Sequence, residues 1–133
     1  MMYLLDTNIL IFLAYNSEYL TEEVKNIIQD TDNDLYFSAA SIWEVAIKFS
    51  LNRPDFDINP DELRKGLFDN GFKELAVKGE HAMNVLNLPE LLHKDPFDRM
   101  LIAQANYEKF IFITSDNKII DLSSKFISII PNR

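Results

Sequence analysis

The sequence predicts an α/β fold in which a mainly parallel central sheet is flanked by helices on both faces. Three observations predict it. Short strand-like segments alternate with helix-like segments along the whole chain. A hydrophobic content of 47% over 133 residues is enough for a packed core, and a chain of this length buries roughly two-thirds of its unfolded surface. No linker, repeat or low-complexity tract interrupts the alternation, so residues 1–133 are read as one domain.

Leu4-Leu5 forms a short buried strand that stops at Asp6, and the nearly continuous apolar run Ile9 to Tyr15 reads as a helix buried on most sides. Thr21 caps a second helix, with Glu22 and Glu23 in its first turn and Val24, Ile27 and Ile28 at helical spacing. The polar run Asp30 to Asp34 ends it. Leu35 to Phe37 is the second strand. Ser38 to Leu51 follows as a helix presenting Ile42, Val45, Ala46 and Phe49 on one face.

Asn52 to Asn59 is a surface loop. Asn59-Pro60-Asp61-Glu62 then starts a helix with a cap, proline at the first position and acids in the first turn, and Gly71 stops it. Phe72 to Val77 is a third strand, placed near an edge by Lys73 and Glu74. A short helix runs from Gly79 to Leu86. Asp95-Pro96 opens a longer one to about Lys109, Phe110 to Thr114 is a buried strand, Asn117 to Leu122 a brief helix, and Phe126 to Ile130 the last strand.

Ligand sites in such sheets lie beyond the carboxyl ends of the strands, and Asp6 and Asp116 fall just there, after the first and fourth strands. Glu44 lies in the helix after strand two and Asp98 in the first turn of the helix before strand four. Carboxylates gathered on one rim repel one another unless cations neutralise them. Oxygen-only ligands favour Mg²⁺ or Mn²⁺ over zinc; the chain has no cysteine and only His81 and His93 as imidazoles, both read as bystanders. Each acid also has a structural duty open to it. Asp6 can cap the helix that follows, Ser41 and Glu44 have the spacing of a capping box, and Asp95-Pro96 makes Asp98 a first-turn acid.

Four stretches resemble, in order, the motifs of PIN-domain ribonucleases of the VapC toxin type. They are Leu4 to Asn8, Ser38 to Lys48, His93 to Ala105 and Thr114 to Asp116, of which the third is long and the most specific. The resemblance implies Asp6, Glu44, Asp98 and Asp116 as an acidic metal-binding and catalytic quartet using Mg²⁺ or Mn²⁺, and RNA phosphodiester cleavage that leaves a 5′-phosphate. It also implies a cognate antitoxin protein and a homodimer, with DNA reached only through the antitoxin. Thr7, Asn8 and Ser115 are expected to hold an acid or a bound water in place. Lys48 is read as a surface partner of Glu44, with a phosphate contact as the functional alternative, and Arg99 as an anchor for a nearby carboxylate. Trp43 is assigned to the core or to a partner contact.

The net charge of -8 runs against nucleic-acid binding, where phosphate contacts come from lysine and arginine. Bound divalent cations and a basic partner both answer that objection. The apolar stretch Met1 to Tyr15 is broken by Asp6, Thr7 and Asn8, so neither a signal peptide nor a membrane span is expected, and a cytoplasmic protein is. The rival reading is a protein-interaction domain, either an inactive PIN-like chain or a phosphoacceptor receiver. A receiver needs an acidic pair at the first strand and an aspartate ending a central strand, and here Asp6 stands alone.

Overall fold

The computed structural model describes residues 1–89 and 95–133; His93 and Lys94, which open the third motif, lie outside the described residues. Five strands, β1 (Met2–Leu5), β2 (Asp34–Ser38), β3 (Lys73–Leu75), β4 (Ile111–Thr114) and β5 (Ile129–Pro131), form one sheet in the order β3-β2-β1-β4-β5. Every pairing is parallel. The chain winds outward from β1 through β2 to β3, then crosses back to β4 on the other side of β1. That reversal opens a crevice at the carboxyl ends of β1 and β4.

The helices are α1 (Thr7–Tyr15), α2 (Glu22–Gln29), α3 (Ala39–Ser50), α4 (Pro60–Asp69), α5 (Gly79–Asn84), α6 (Pro96–Glu108) and α7 (Asn117–Ser123). Six of their N-caps, Asp6, Thr21, Ser38, Asn59, Asp95 and Asp116, accept backbone N–H bonds through their side chains, satisfying donors that the first turn would otherwise leave unpaired.

Strand pleating divides the core in two. Tyr3 and Leu5 of β1, Leu35 and Phe37 of β2 and Ile113 of β4 face a cluster completed by Ile9, Leu10, Val24, Val45, Leu63 and Leu67. Leu4 and Phe112 face the opposite cluster with Leu101, Ile102, Ala103 and Ile119. Both faces of the central strands are therefore buried. This is why their sequence reads as unbroken apolar runs.

The structure corrects the sequence reading at three places. The last strand begins at Ile129 rather than Phe126, because the amides of Phe126 and Ile127 bond back to Ser123 O and prolong the turn after α7. The ladder starts where Phe112 N donates to Ser128 O. The third strand shrinks to Lys73–Leu75 at the sheet edge, where it has one neighbour only. Ser41 is not a cap: Ser38 Oγ accepts from Ala40 N at 3.0 Å and starts α3 three residues earlier, leaving Ser41 buried in the first turn.

Two glycines, one inside α4 and one just past its end, stand in opposite circumstances. Gly71, just past its end, has φ +84°, while Gly66 lies inside the helix, and a Cβ at either position meets nothing within 4 Å. Backbone conformation alone then decides the sign. Gly71→Ala is expected to cost about 1 kcal/mol, and Gly66→Ala to add about 0.5–1 kcal/mol. Urea midpoints that shift in the same direction for both substitutions would refute this account.

Candidate acidic site

Asp6 directly follows β1, at the point where the strand order reverses between β1 and β4. Its backbone N–H donates to Ile113 O at 2.9 Å, which carries the β1–β4 ladder one residue beyond β1 and fixes the main chain where the carboxylate emerges. Asp6 Oδ1 accepts from Thr7 N at 2.8 Å, and Oδ2 accepts from the Thr114 hydroxyl at 2.7 Å. Thr114 Oγ1 in turn accepts from Asp116 N at 3.0 Å, so one hydroxyl ties together the ends of β1 and β4. Burial raises the Asp6 carboxyl to about 6; the bonds from Thr114 and Thr7 oppose the rise, and the charges of Glu44 and Asp116 add to it.

The other three acids stand within reach of that charge. Asp116 caps α7, with Oδ1 accepting from Lys118 N at 2.8 Å and Ile119 N at 3.1 Å. Asp98 lies in the first turn of α6, where Asp95 Oδ1 accepts from the backbone N–H groups of Phe97 and Asp98. Burial pushes the Asp98 carboxyl up to about 8, reinforced by the negative charges of Asp6, Asp95, Asp116 and Glu44. Those causes gather all four sequence-chosen acids into one electrostatic cluster and add Asp95, read from the sequence only as a cap.

Glu44 projects from α3, whose first turn is fastened to α1 by a buried bond from Thr7 Oγ1 to Ser41 Oγ at 2.8 Å. Glu44 pairs with Lys48 one turn on, at 3.1 Å, as expected of a surface i,i+4 pair worth a few tenths of a kcal/mol. Lys48 Nζ also lies over the Phe56 ring.

Several supporting residues stand elsewhere than the sequence suggested. The hydroxyl on Asp6 belongs to Thr114, whereas Ser115 Oγ accepts from Asn132 Nδ2 at 2.8 Å. Thr7 holds Asp6 by its backbone and Ser41 by its hydroxyl. Asn8 is exposed in the first turn of α1. Arg99 is half-buried, and the expected carboxylate anchor is not among the ion pairs of the described residues. Thr114 and Ser41 sit inside the quoted motifs, so a polar residue at a strand end or in a buried first turn was the signal that would have found them.

Trp43 is 63% exposed rather than in the core, with its ring edge-to-face against Phe97. It lines an apolar pocket of about 420 Å³ with Ala39, Ala40, Val77, Pro96 and Met100. His81 is fully buried, away from the rim. Its Nδ1 accepts from Lys78 N at 3.0 Å, so Nε2 carries the proton and donates to Glu108 at 3.1 Å, clamping α5 to α6.

Among the described residues, no three carboxylate or imidazole groups stand close enough to enclose one ion with their side chains as placed. The donor chemistry nonetheless fits a hard divalent cation: the rim offers oxygen ligands only, and two of its carboxyls are held well above the ordinary aspartate range by burial and mutual repulsion. A cation is what would relieve both effects. Capping does not compete with ligation outright, because a carboxylate has about four lone-pair sites.

Solved structures of similar fold support the topology. A chain of VapBC2 from Rickettsia felis bound to a promoter DNA fragment aligns with a TM-score of 0.70 at 15% identity, covering 100% of both chains. A chain of DNA-bound VapBC from Salmonella typhimurium aligns at 0.70 and 16%, covering 98% of both. A chain of VapBC-1 from nontypeable Haemophilus influenzae aligns at 0.65 and 18%, again over 98% of both. No curated relative matches in sequence. The PIN domain family model matches residues 3–125, which takes in the strand ends and helix turns that carry Asp6, Glu44, Asp98 and Asp116, and the chain therefore belongs to the PIN domain family.

Proposed function

We propose that this chain is a Mg²⁺- or Mn²⁺-dependent endoribonuclease and the toxin component of a toxin-antitoxin pair. The observation that carries the reading is the gathering of Asp6, Glu44, Asp98 and Asp116 at the carboxyl ends of β1 and β4, within the residues that the PIN domain family model matches, where burial and mutual charge raise the Asp98 carboxyl. So much negative charge at the mouth of the β1–β4 crevice is costly to keep, and it suits a site that takes up cations.

Asp6, Glu44, Asp98 and Asp116 would hold the metal. When bound, a divalent ion there supplies activation of the attacking water and stabilisation of the leaving oxygen of a phosphodiester. The chain's own part is to orient and to hold protons. Thr114 and the Thr7 amide fix the two Asp6 oxygens, Lys48 steadies Glu44, and the N-termini of α6 and α7 favour negative charge at Asp98 and Asp116. Burial and the neighbouring charges raise the Asp98 carboxyl toward its protonated form, so cation uptake would be coupled to loss of a proton there.

The partner is an antitoxin that covers the acidic crevice with an arginine or lysine and the apolar flank around Trp43 with apolar residues. The names of the similar structures, VapBC complexes of which two hold DNA, support such a partner and DNA contact through it. A homodimer belongs to the same reading. No described helix is long and apolar enough to cross a membrane. The open spacing of the described acids favours the rival reading of an inactive interaction domain, and metal binding decides between the two.

Purified protein freed of partners is expected to cleave single-stranded or loop RNA with Mg²⁺ or Mn²⁺ and to stop in excess chelator. Glu44→Gln should melt within a degree or two of wild type yet lose about a hundredfold or more in cleavage, because it removes a charge from a cation ligand while the surface pair contributes little. Cleavage that survives chelation, or a fully active Glu44→Gln protein, would sink the assignment.

The raised carboxyls also set a pH dependence. Below about pH 4 both folded and unfolded chains are protonated at Asp6 and Asp98; above it the unfolded chain loses protons that the folded chain keeps, up to about 6 and 8 respectively. Metal-free protein is therefore expected to lose stability as pH rises from about 4 to about 8. Mg²⁺ should recover that loss, and Asp98→Asn should flatten the slope and raise the melting temperature at about pH 8. A steeper slope in Asp98→Asn, or none in wild type, would contradict the electrostatic picture.

Co-expression with the small reading frame adjacent in the genome is expected to yield a stable complex that does not cut RNA. Failure to co-purify, or free cleavage by the complex, would count against control by an antitoxin.

A further inference from the structure

The residues between β4 and α7 turn a corner, and Asp116 stands on it. We propose that Asn132 is a positioning residue for the acidic site: its carboxamide holds the Thr114–Asp116 corner in place, and through it the carboxylates of Asp116 and Asp6. The inference rests on the metal-site reading above.

Asn132 directly follows β5 and is 5% exposed. Its Nδ2 donates to Ser115 Oγ at 2.8 Å and to Tyr19 O at 3.0 Å, while Oδ1 accepts from Thr21 N at 2.8 Å. Its backbone N–H donates to Thr114 O at 2.8 Å. One side chain thus joins the corner to the segment between α1 and α2, and every polar group it has is used. Ser115 lies between the two residues that make the site's own bonds: Thr114 Oγ1 donates to Asp6 Oδ2 and accepts from Asp116 N. Displacing Ser115 moves both.

The chemistry selects an amide here. An aspartate of the same shape lacks the donors that Tyr19 O and Ser115 Oγ receive, and an apolar residue leaves Thr21 N and Tyr19 O unpaired. A residue that merely ended β5 would need the backbone bond to Thr114 and none of the other three. The Asn132 side chain bonds Thr21, Tyr19 and Ser115 and none of the four acids. It acts through Ser115, as outer residues do when they orient metal ligands.

The test compares Asn132→Ala, Ser115→Ala and the double variant with Leu67→Ala, a core truncation in α4 remote from the corner. Two quantities are read in the full chain: hydrogen exchange of the Asp116 amide by NMR, relative to amides of β1 and β4, and Mn²⁺ affinity by electron paramagnetic resonance. Asn132→Ala and Ser115→Ala should each speed Asp116 exchange and weaken Mn²⁺ binding about tenfold, with the double variant little worse than Asn132→Ala. Leu67→Ala should lose stability but keep its Mn²⁺ affinity. Should Asn132→Ala fail to fold, Ser115→Ala decides, since it leaves the bonds to Tyr19 and Thr21 intact. Unchanged Asp116 exchange, a rise that is uniform across the sheet, or wild-type Mn²⁺ affinity in both variants would overturn the proposal. A wild-type chain that binds no Mn²⁺ would remove the metal reading instead, and Asp116 exchange alone would then decide whether Asn132 holds the corner.

Discussion

The parallel pairing of β1 with β4 is the constraint from which the rest of the molecule follows. These strands are remote in sequence, yet they lie side by side at the middle of the sheet, with Leu4 opposite Phe112 and Leu5 opposite Ile113. Their side chains reach both halves of the core, so a slip of one residue would turn each apolar set to the wrong face. The same register brings Asp6 N onto Ile113 O and the Thr114 hydroxyl onto Asp6. Core packing and site geometry are therefore set by one ladder.

That arrangement stabilises the fold and burdens it at once. The caps on α1, α6 and α7 are aspartates, and each satisfies backbone donors that would otherwise go unpaired. Serine or asparagine would cap as well without adding charge. Choosing acids at three helix starts around one crevice concentrates negative charge where burial already penalises it, as the states of Asp6 and Asp98 record. Strain of this kind, kept while a neutral alternative exists, marks sites that take a ligand.

The surface divides in a related way. The acids at the carboxyl ends of β1 and β4 are buried or half-buried, while Trp43 and its pocket present an apolar surface one residue away from Glu44. An occupant of both regions needs cationic and apolar groups side by side. Single-stranded RNA and a folding protein segment meet that requirement in different ways, the first through bases with intervening cations and the second through arginine among apolar residues.

Local sequence determined much of this. The apolar runs at Leu4-Leu5 and Phe110 to Thr114 read as buried strands, and Leu35 to Phe37 as a strand. Capping residues before regular apolar spacing fixed most helix starts, and the position of Asp6 and Asp116 after strands put both on the carboxyl rim. Those features act over a few residues, so they are legible without knowing what packs where. Other features required the tertiary structure. Ser38 rather than Ser41 caps α3 because Thr7, from another helix, occupies the Ser41 hydroxyl. Thr114 rather than Ser115 meets Asp6 because the pleat and the register put residues 6 and 114 on the same face of the sheet and leave 115 to Asn132. The last strand starts late because Ser123 O captures the amides of Phe126 and Ile127. In each case the outcome depends on contacts made between elements or across a turn, and only the folded geometry, not the residue type, decides which group reaches its partner.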